Sequence, residues 1–429
     1  MTTDDILSRR SLLRLAGVGA GAVLLGGCGG DDGTDSDGNQ TVEWWHISNN
    51  DPGMTMFANM AKKFSDENAN VKINVSALQN DAFKTKLGTV NQAGDPPDLF
   101  HTWGGGVLAQ QAEAGLVKDI SSEVSGLSLI PNAVDAYTID GKSYGFPVDV
   151  GMIGFWYNKD LFAKAGISAP PTTWAEFLAN VRALKASGTT PLALAGKDKW
   201  PGHYYWAYLA MRVAGPDALN QAAEDKSFAN PDFVTAGQHL KDLVDLQPFQ
   251  KGFLGASYDT PDGQAASMGN GLAAMELMGQ WAPSVQETSS ASTQGLGDKL
   301  GFFTFPAVDG GKGSPTDAFG GGNGIAVGRN APPAAIDFVK YLLSGATYQE
   351  IVATNELIPA ITGAESSVTN PNLQVVSETL NAATGIQLYL DQAYPPALGQ
   401  QVNDSVAQLL AGEASPEKVT EDLTNVAQR

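Results

Sequence analysis

TVEWWHISNNDPGMTMFANMAKKFSDENANVKINVSALQNDAFKTKLGTVNQAGDPPDLF, residues 41–100, decides the fold. Residues 41–45 carry β-branched and aromatic side chains and read as a strand. Asp51 offers a helix N-cap, with Pro52 at the first helical position. Met56, Phe57, Met60, Ala61 and Phe64 then recur at helical spacing. Val71, Ile73 and Val75 alternate as one face of a strand does. Asp81 is expected to cap a second helix whose inner side is Phe83, Leu87 and Val90. Residues 98–100 read as a short buried strand, and 105–114 as a helix that stops at Gly115. Strands alternating with helices imply parallel βαβ units, so the fold class is α/β rather than a sandwich or a bundle.

The same punctuation continues downstream. Asp140-Gly141 supplies a tight hairpin turn. Residues 146–157 are extended and apolar, and Thr173 with Glu176 forms a capping box that opens a helix to about residue 187. Residues 191–195, 272–278, 300–305 and 324–327 read as strands. The intervals 203–214, 231–246, 331–343, 346–354, 372–382, 399–411 and 416–427 read as helices. No repeat of fixed period is present.

At 429 residues the chain is too long for one ordinary core, so two lobes are expected. It is 43% hydrophobic and 17% charged, ordinary for a globular protein. The formal charge of −20, from 46 acidic and 26 basic residues, opposes binding to nucleic acid or to anionic lipid. The single cysteine excludes an internal disulfide and Cys-based zinc or iron–sulfur centres. Four histidines without HExxH spacing exclude a zincin, and no metal or cofactor is expected.

That cysteine, Cys28, closes a leader. Arg9 and Arg10 precede a weakly apolar run over residues 15–25, then Gly26-Gly27-Cys28. Twin arginines, a short apolar stretch and small residues form an export signal of the twin-arginine type, too short to remain as a membrane span. The ending resembles a lipoprotein lipobox, which implies that residues 1–27 are removed and that Cys28 is lipidated. Residues 28–40 lack the apolar content to fold and are expected to be a disordered tether.

Two catalytic patterns fail on context. Residues 141–145 match a nucleophile elbow, but a hairpin precedes them and Phe-Pro follows. Residues 104–109 match a dinucleotide pattern, yet Trp103 would crowd a pyrophosphate.

Several segments in order resemble the extracellular solute-binding proteins of bacterial ABC importers, in the branch that carries sugars. They are the leader, residues 96–105 with 114–117, 141–147, 155–162, 171–177, 273–275 with 279–281, 305–306, and 319–323. The resemblance implies a type II periplasmic-binding-protein-like fold of two discontinuous α/β lobes joined by hinge crossovers. The expected division gives residues 41–146 and 308–343 to the N-terminal lobe and 147–307 and 344–429 to the C-terminal lobe. Crossings are expected at 146–157, at 303–309 and at the end of the 331–343 helix. The lobes should close on ligand at the ends of their strands.

A sugar presents C–H faces that stack on aromatic rings and hydroxyls that bond planar polar side chains. On that chemistry and the resemblance, the expected contacts are His46, Asn49 and Asn50 after the first strand, Trp103, and Asp149 on the first crossing. Trp200, His203 and Tyr204 before a helix join them, with Gln280 and Trp281, then Gly321, Gly322 and Asn323, and finally Asp391. The aromatic count and the acidic groups favour a neutral disaccharide or longer, and Arg182, Arg212 and Arg329 read as surface positions, which opposes a phosphorylated or acidic ligand. The implied function is a monomeric, lipid-anchored extracytoplasmic receptor that hands a saccharide to an ABC permease and is not an enzyme. An exported carbohydrate-active hydrolase is the competing reading, because carboxylates are numerous enough to supply an acid/base pair. A structural surface lipoprotein is a third.

Overall fold

The computed structural model describes residues 38–130 and 133–429. The leader, Cys28 and nearly all of the expected tether lie outside the described residues.

The opening stretch folds as its alternation dictates. Strand Gln40–His46 lies between the parallel strands Val71–Ala77 and Leu99–Thr102, and helices Gly53–Glu67 and Asn80–Ala93 make the crossovers. The sheet grows to five strands through the antiparallel Gly324–Val327, followed by Gly145–Pro147. Phe83, Leu87, Phe100, Leu108 and Tyr137 fill one side of it. The caps differ in detail from expectation. The Gln79 side chain, rather than Asp81, accepts the first N–H groups of its helix. Asp51 Oδ1 accepts from Thr55 N at 3.0 Å.

A second lobe is built on a four-stranded sheet, in the order Leu300–Phe303, Gly154–Asn158, Ala273–Met278 and Thr190–Leu192. The Thr173–Glu176 capping box starts helix Trp174–Ala186. Helices Trp200–Ala214, Pro231–Asp245, Pro396–Ala411 and Pro416–Ala427 pack on one another in this lobe.

Between the lobes lies a third sheet: Ile358–Pro359, Asp149–Met152, Asp317–Gly321 and Gly385–Leu388. One extended run, residues 145–158, contributes a strand to each of the three sheets in turn. The return path does the same through Leu300–Phe303, Asp317–Gly321 and Gly324–Val327. The second crossing is therefore Asp317–Gly321, not 303–309. Residues 304–316 stay with the second lobe because Ala307 exchanges backbone hydrogen bonds with Thr172 and Trp174. Arg212 also holds this stretch, donating to the carbonyls of Phe305 (3.1 Å), Pro315 (3.4 Å) and Asp317 (3.0 Å). Arg212, expected at the surface, is 1% exposed. After helix Pro333–Leu342 the chain leaves the first lobe, and Tyr348 OH donates to Val148 O at 2.5 Å and accepts from Ala360 N at 2.9 Å.

The tempting patterns serve structure. Asp140 and Gly141 sit at φ 50° and 76° in the hairpin joining Thr138–Ile139 to Lys142–Ser143. Gly105 and Gly106 lie against the backbone of residues 392–395, which any Cβ there would strike. Among the described residues no helix is long and apolar enough to cross a membrane.

Candidate ligand-binding cleft

The three parallel strands of the first lobe end at one edge, which places the loops after His46, Ala77 and Thr102 side by side. Residues after Thr190–Leu192 and Ala273–Met278 meet them from the second lobe. A cavity of ≈ 240 Å³ lies between.

Its first-lobe wall carries Trp44, His46, Asn49, Asn50, Gln79, Lys84, His101 and Trp103. Asp149 and Asn323, from the two crossing strands, form the base. Trp200, Tyr204, Tyr258, Asp259, Trp281, Tyr389, Asp391 and Gln392 complete the other side. Aromatic rings form a continuous lining here. Trp200 lies 5.7 Å from Tyr204 and 5.5 Å from Tyr258, Tyr204 lies 5.9 Å from Tyr389, and Tyr389 lies 6.5 Å from Trp281.

The carboxylates that line the cleft all accept hydrogen bonds. Asp149 is met at both oxygens by Asn323, from its backbone N and its Nδ2, each at 2.6 Å. Burial nevertheless raises its pKa to about 7, against the lowering effect of the Asn323 bonds. Asp259 accepts from Asn49 Nδ2 at 3.1 Å, across the cleft. Glu356 accepts from Ser284 Oγ at 2.8 Å. Asp391 pairs with Lys84 Nζ at 2.9 Å. Burial of Asp391 works against ionisation, but Lys84, His203 and the hydrogen bonds it accepts outweigh burial and hold its pKa down at about 2. Lys84 Nζ also sits 5.0 Å from the Trp103 ring centroid. Among the described residues lining the cavity it is the only lysine or arginine. His46 and His101 are buried, which depresses their pKa to about 4 and about 3 and keeps both imidazoles neutral.

Of the residues expected from sequence, His46, Asn49, Asn50, Trp103, Asp149, Trp200, Tyr204, Trp281, Asn323 and Asp391 are brought together around this cavity. Four are placed elsewhere. His203 is fully buried on the inner side of its helix, with Nδ1 2.8 Å from Asn403 Oδ1. Gln280 turns away from the cleft and its amide packs against Gly151. Gly322 is glycine because a Cβ would run into the Asp149 carbonyl, and Gly321 faces the Tyr389 ring. Gly322 lets the two crossing strands approach closely. Lys84, Tyr258, Asp259, Glu356 and Tyr389 were not expected. Tyr389 belongs to the aromatic-acidic run at 388–392, a signal that could have found it. The remaining four sit in helices and loops without a local pattern.

The bacterial extracellular solute-binding protein family model matches residues 49–348. The chain belongs to that family. This solute-binding protein is 26% identical over 366 residues to the multiple sugar-binding protein of Streptococcus mutans, covering 82% of this chain and 83% of that one. A solved structure from a study of xylan utilization by the thermophilic bacterium Caldanaerobius polysaccharolyticus superposes with a TM-score of 0.82 at 30% identity, over 90% of this chain and 99% of the other. A chitin oligosaccharide binding protein superposes at 0.81 with 26% identity, over 91% and 98% of the two chains. The two-lobe α/β fold is thus that of the periplasmic-binding-protein-like receptors.

Proposed function

We propose that this solute-binding protein captures a saccharide between its lobes and delivers it unaltered to an ABC permease. The observation that carries the reading is the cleft itself. Indole and phenol rings of Trp103, Trp200, Tyr204, Tyr258, Trp281 and Tyr389 face the oxygen- and amide-bearing side chains of Asn49, Asn50, Asp149, Asp259, Asn323 and Gln392. Rings suit the C–H faces of a pyranose, and planar polar groups suit its hydroxyls. The names of the relatives, a multiple sugar-binding protein and a chitin oligosaccharide binding protein, agree with that chemistry. Closure on ligand is the state a permease can recognise, since only the liganded protein populates it fully.

The receptor reading is preferred to a hydrolase because the family and the relatives are named for binding a solute. On this reading a twin-arginine leader exports the protein and lipid on Cys28 holds a monomer at the outer face of the membrane, with the net charge of −20 keeping the body in solution.

Purified protein titrated with a saccharide panel tests the reading. A receptor gains thermal stability and changes tryptophan fluorescence with its ligand, and returns that ligand with unchanged mass. A new product indicates the hydrolase. In cells, Cys28→Ser is expected to move the protein from the membrane to the soluble fraction, and retention in the membrane would contradict the anchor.

A further inference from the structure

Beside the cavity the two lobes are bonded to each other directly. Asn49, in the loop after the first strand, donates to Asp259 of the second lobe at 3.1 Å. Glu356 makes another link. It lies between helix Gly345–Val352 and strand Ile358–Pro359 of the sheet between the lobes. One of its carboxylate oxygens accepts from Ser284 Oγ at 2.8 Å, in the first turn of the second-lobe helix Ala282–Ser289. The other lies against Gly53, whose backbone N–H donates to the carboxylate at the start of the first-lobe helix Gly53–Glu67. An N-terminal N–H of a helix has no partner within the helix and favours negative charge. Asp51 takes that of Thr55, and Glu356 takes that of Gly53. Glycine at 53 admits the carboxylate, because a Cβ there would run into Glu356 Oε2.

We propose that Glu356 is a latch between the lobes, which holds Gly53 of one and Ser284 of the other and biases the pair toward closure before any ligand is bound. When the lobes part, Gly53 moves with its helix and Ser284 with the other. The single carboxylate then keeps at most one of them, so opening breaks a hydrogen bond to a charged group. All partners in this link are protein atoms, and it therefore favours the closed arrangement whatever lies in the cleft. The Asn49–Asp259 bond acts in the same sense. The protein thus supplies part of the closing free energy itself, and a ligand has correspondingly less to provide. The latch rests on the two-lobe fold; only its consequence for affinity rests on the saccharide-receptor reading.

Small-angle X-ray scattering of the dialysed protein, with no saccharide added, reads the spacing of the lobes. Three variants release the latch in different ways. Ser284→Ala deletes the second-lobe donor, and Glu356→Ala deletes the carboxylate. Gly53→Ala keeps every polar group but sets a methyl where the carboxylate sits, in a helix that alanine otherwise favours. Each is expected to shift the closed-to-open ratio about tenfold toward open, the worth of one hydrogen bond to a charged group, and so to raise the radius of gyration. Ser284→Ala is expected to add nothing in the Glu356→Ala background, because both remove the same link. Melting curves establish that each variant is folded, and Gly53→Ala with Ser284→Ala decides the matter if Glu356→Ala is not. Scattering from those two variants that superposes on the wild type overturns the latch, as does a full additional expansion in the double variant. Either result leaves the receptor reading standing, and failure of every saccharide to bind would overturn that reading without touching the latch.

Discussion

Replacing Lys84 with methionine keeps the length and apolar stem of the side chain and removes the charge that faces Asp391. Asp391 is buried, and its pKa falls from 3.8 to about 2 because Lys84, His203 and its hydrogen bonds overcome the desolvation that opposes ionisation. A depressed acid stabilises the native state above its unfolded pKa, and that stability is lost as pH falls through the folded value. At ~1.36 kcal/mol per pH unit, a fall of that size sets the contribution at ~2 kcal/mol near pH 7. In Lys84→Met the largest favourable charge is gone, burial is no longer outweighed, and the native state is destabilised by at least that amount. Urea unfolding at pH 7 and at pH 3, read by tyrosine and tryptophan fluorescence, measures the gap between the two proteins. All other carboxylates are common to both and cancel. The gap is expected to be ~2 kcal/mol or more at pH 7 and clearly smaller at pH 3, where Asp391 of the unfolded chain is largely protonated. A gap that is absent at pH 7, or equal at both pH values, refutes the pairing argument.

Three further outcomes follow from the same geometry. Trp281→Ala removes an indole face on the cleft, and at ~25 cal/mol per Å² over roughly 60–80 Å² of covered sugar the loss is about tenfold or more in saccharide affinity; wild-type affinity in calorimetry would take Trp281 out of the site. Arg212→Met leaves the carbonyls of Phe305, Pro315 and Asp317 without their buried donor and should cost ~3 kcal/mol in urea unfolding, whereas a cost under ~1 kcal/mol would show that the crossing strand does not depend on it. Glu276, wholly buried and bonded to Gln286 at 2.6 Å and Gln264 at 2.9 Å, has its pKa raised by burial from 4.5 to about 7. A raised acid stabilises below its unfolded pKa and loses that stability as pH rises through its folded value, so Glu276→Gln should flatten the decline in stability between about pH 4.5 and 7; an unchanged slope would contradict the assignment.

How far the sequence carried the fold depended on whether a feature was local. The Thr173–Glu176 box, the Asp140-Gly141 turn and the β-α alternation of residues 40–102 are set by neighbours within a few positions, and each appears in the structure. Trp103 and Trp281 could be placed on the cleft because both follow strands, whose ends point there in an open α/β sheet. The return crossing could not be located, because Phe305 and Pro306 look like any strand exit. What keeps 304–316 with the second lobe is the guanidinium of Arg212, about a hundred residues earlier in the chain. His203 lies off the cavity for the same reason, since its partner Asn403 is 200 residues away. Gln280 adjoins Trp281 in sequence, yet its amide packs against Gly151 and does not line the cavity. Lys84 announced nothing, being one of two lysines on an exposed-looking helix, until the fold brought Asp391 to it.

The receptor reading stands or falls on a calorimetric titration of the full chain with neutral oligosaccharides, followed by mass analysis of the recovered sugar. Saturable one-to-one binding, a ligand of unaltered mass and loss of that binding in Trp281→Ala are expected. A cleaved sugar, or no heat from any saccharide offered, would contradict it.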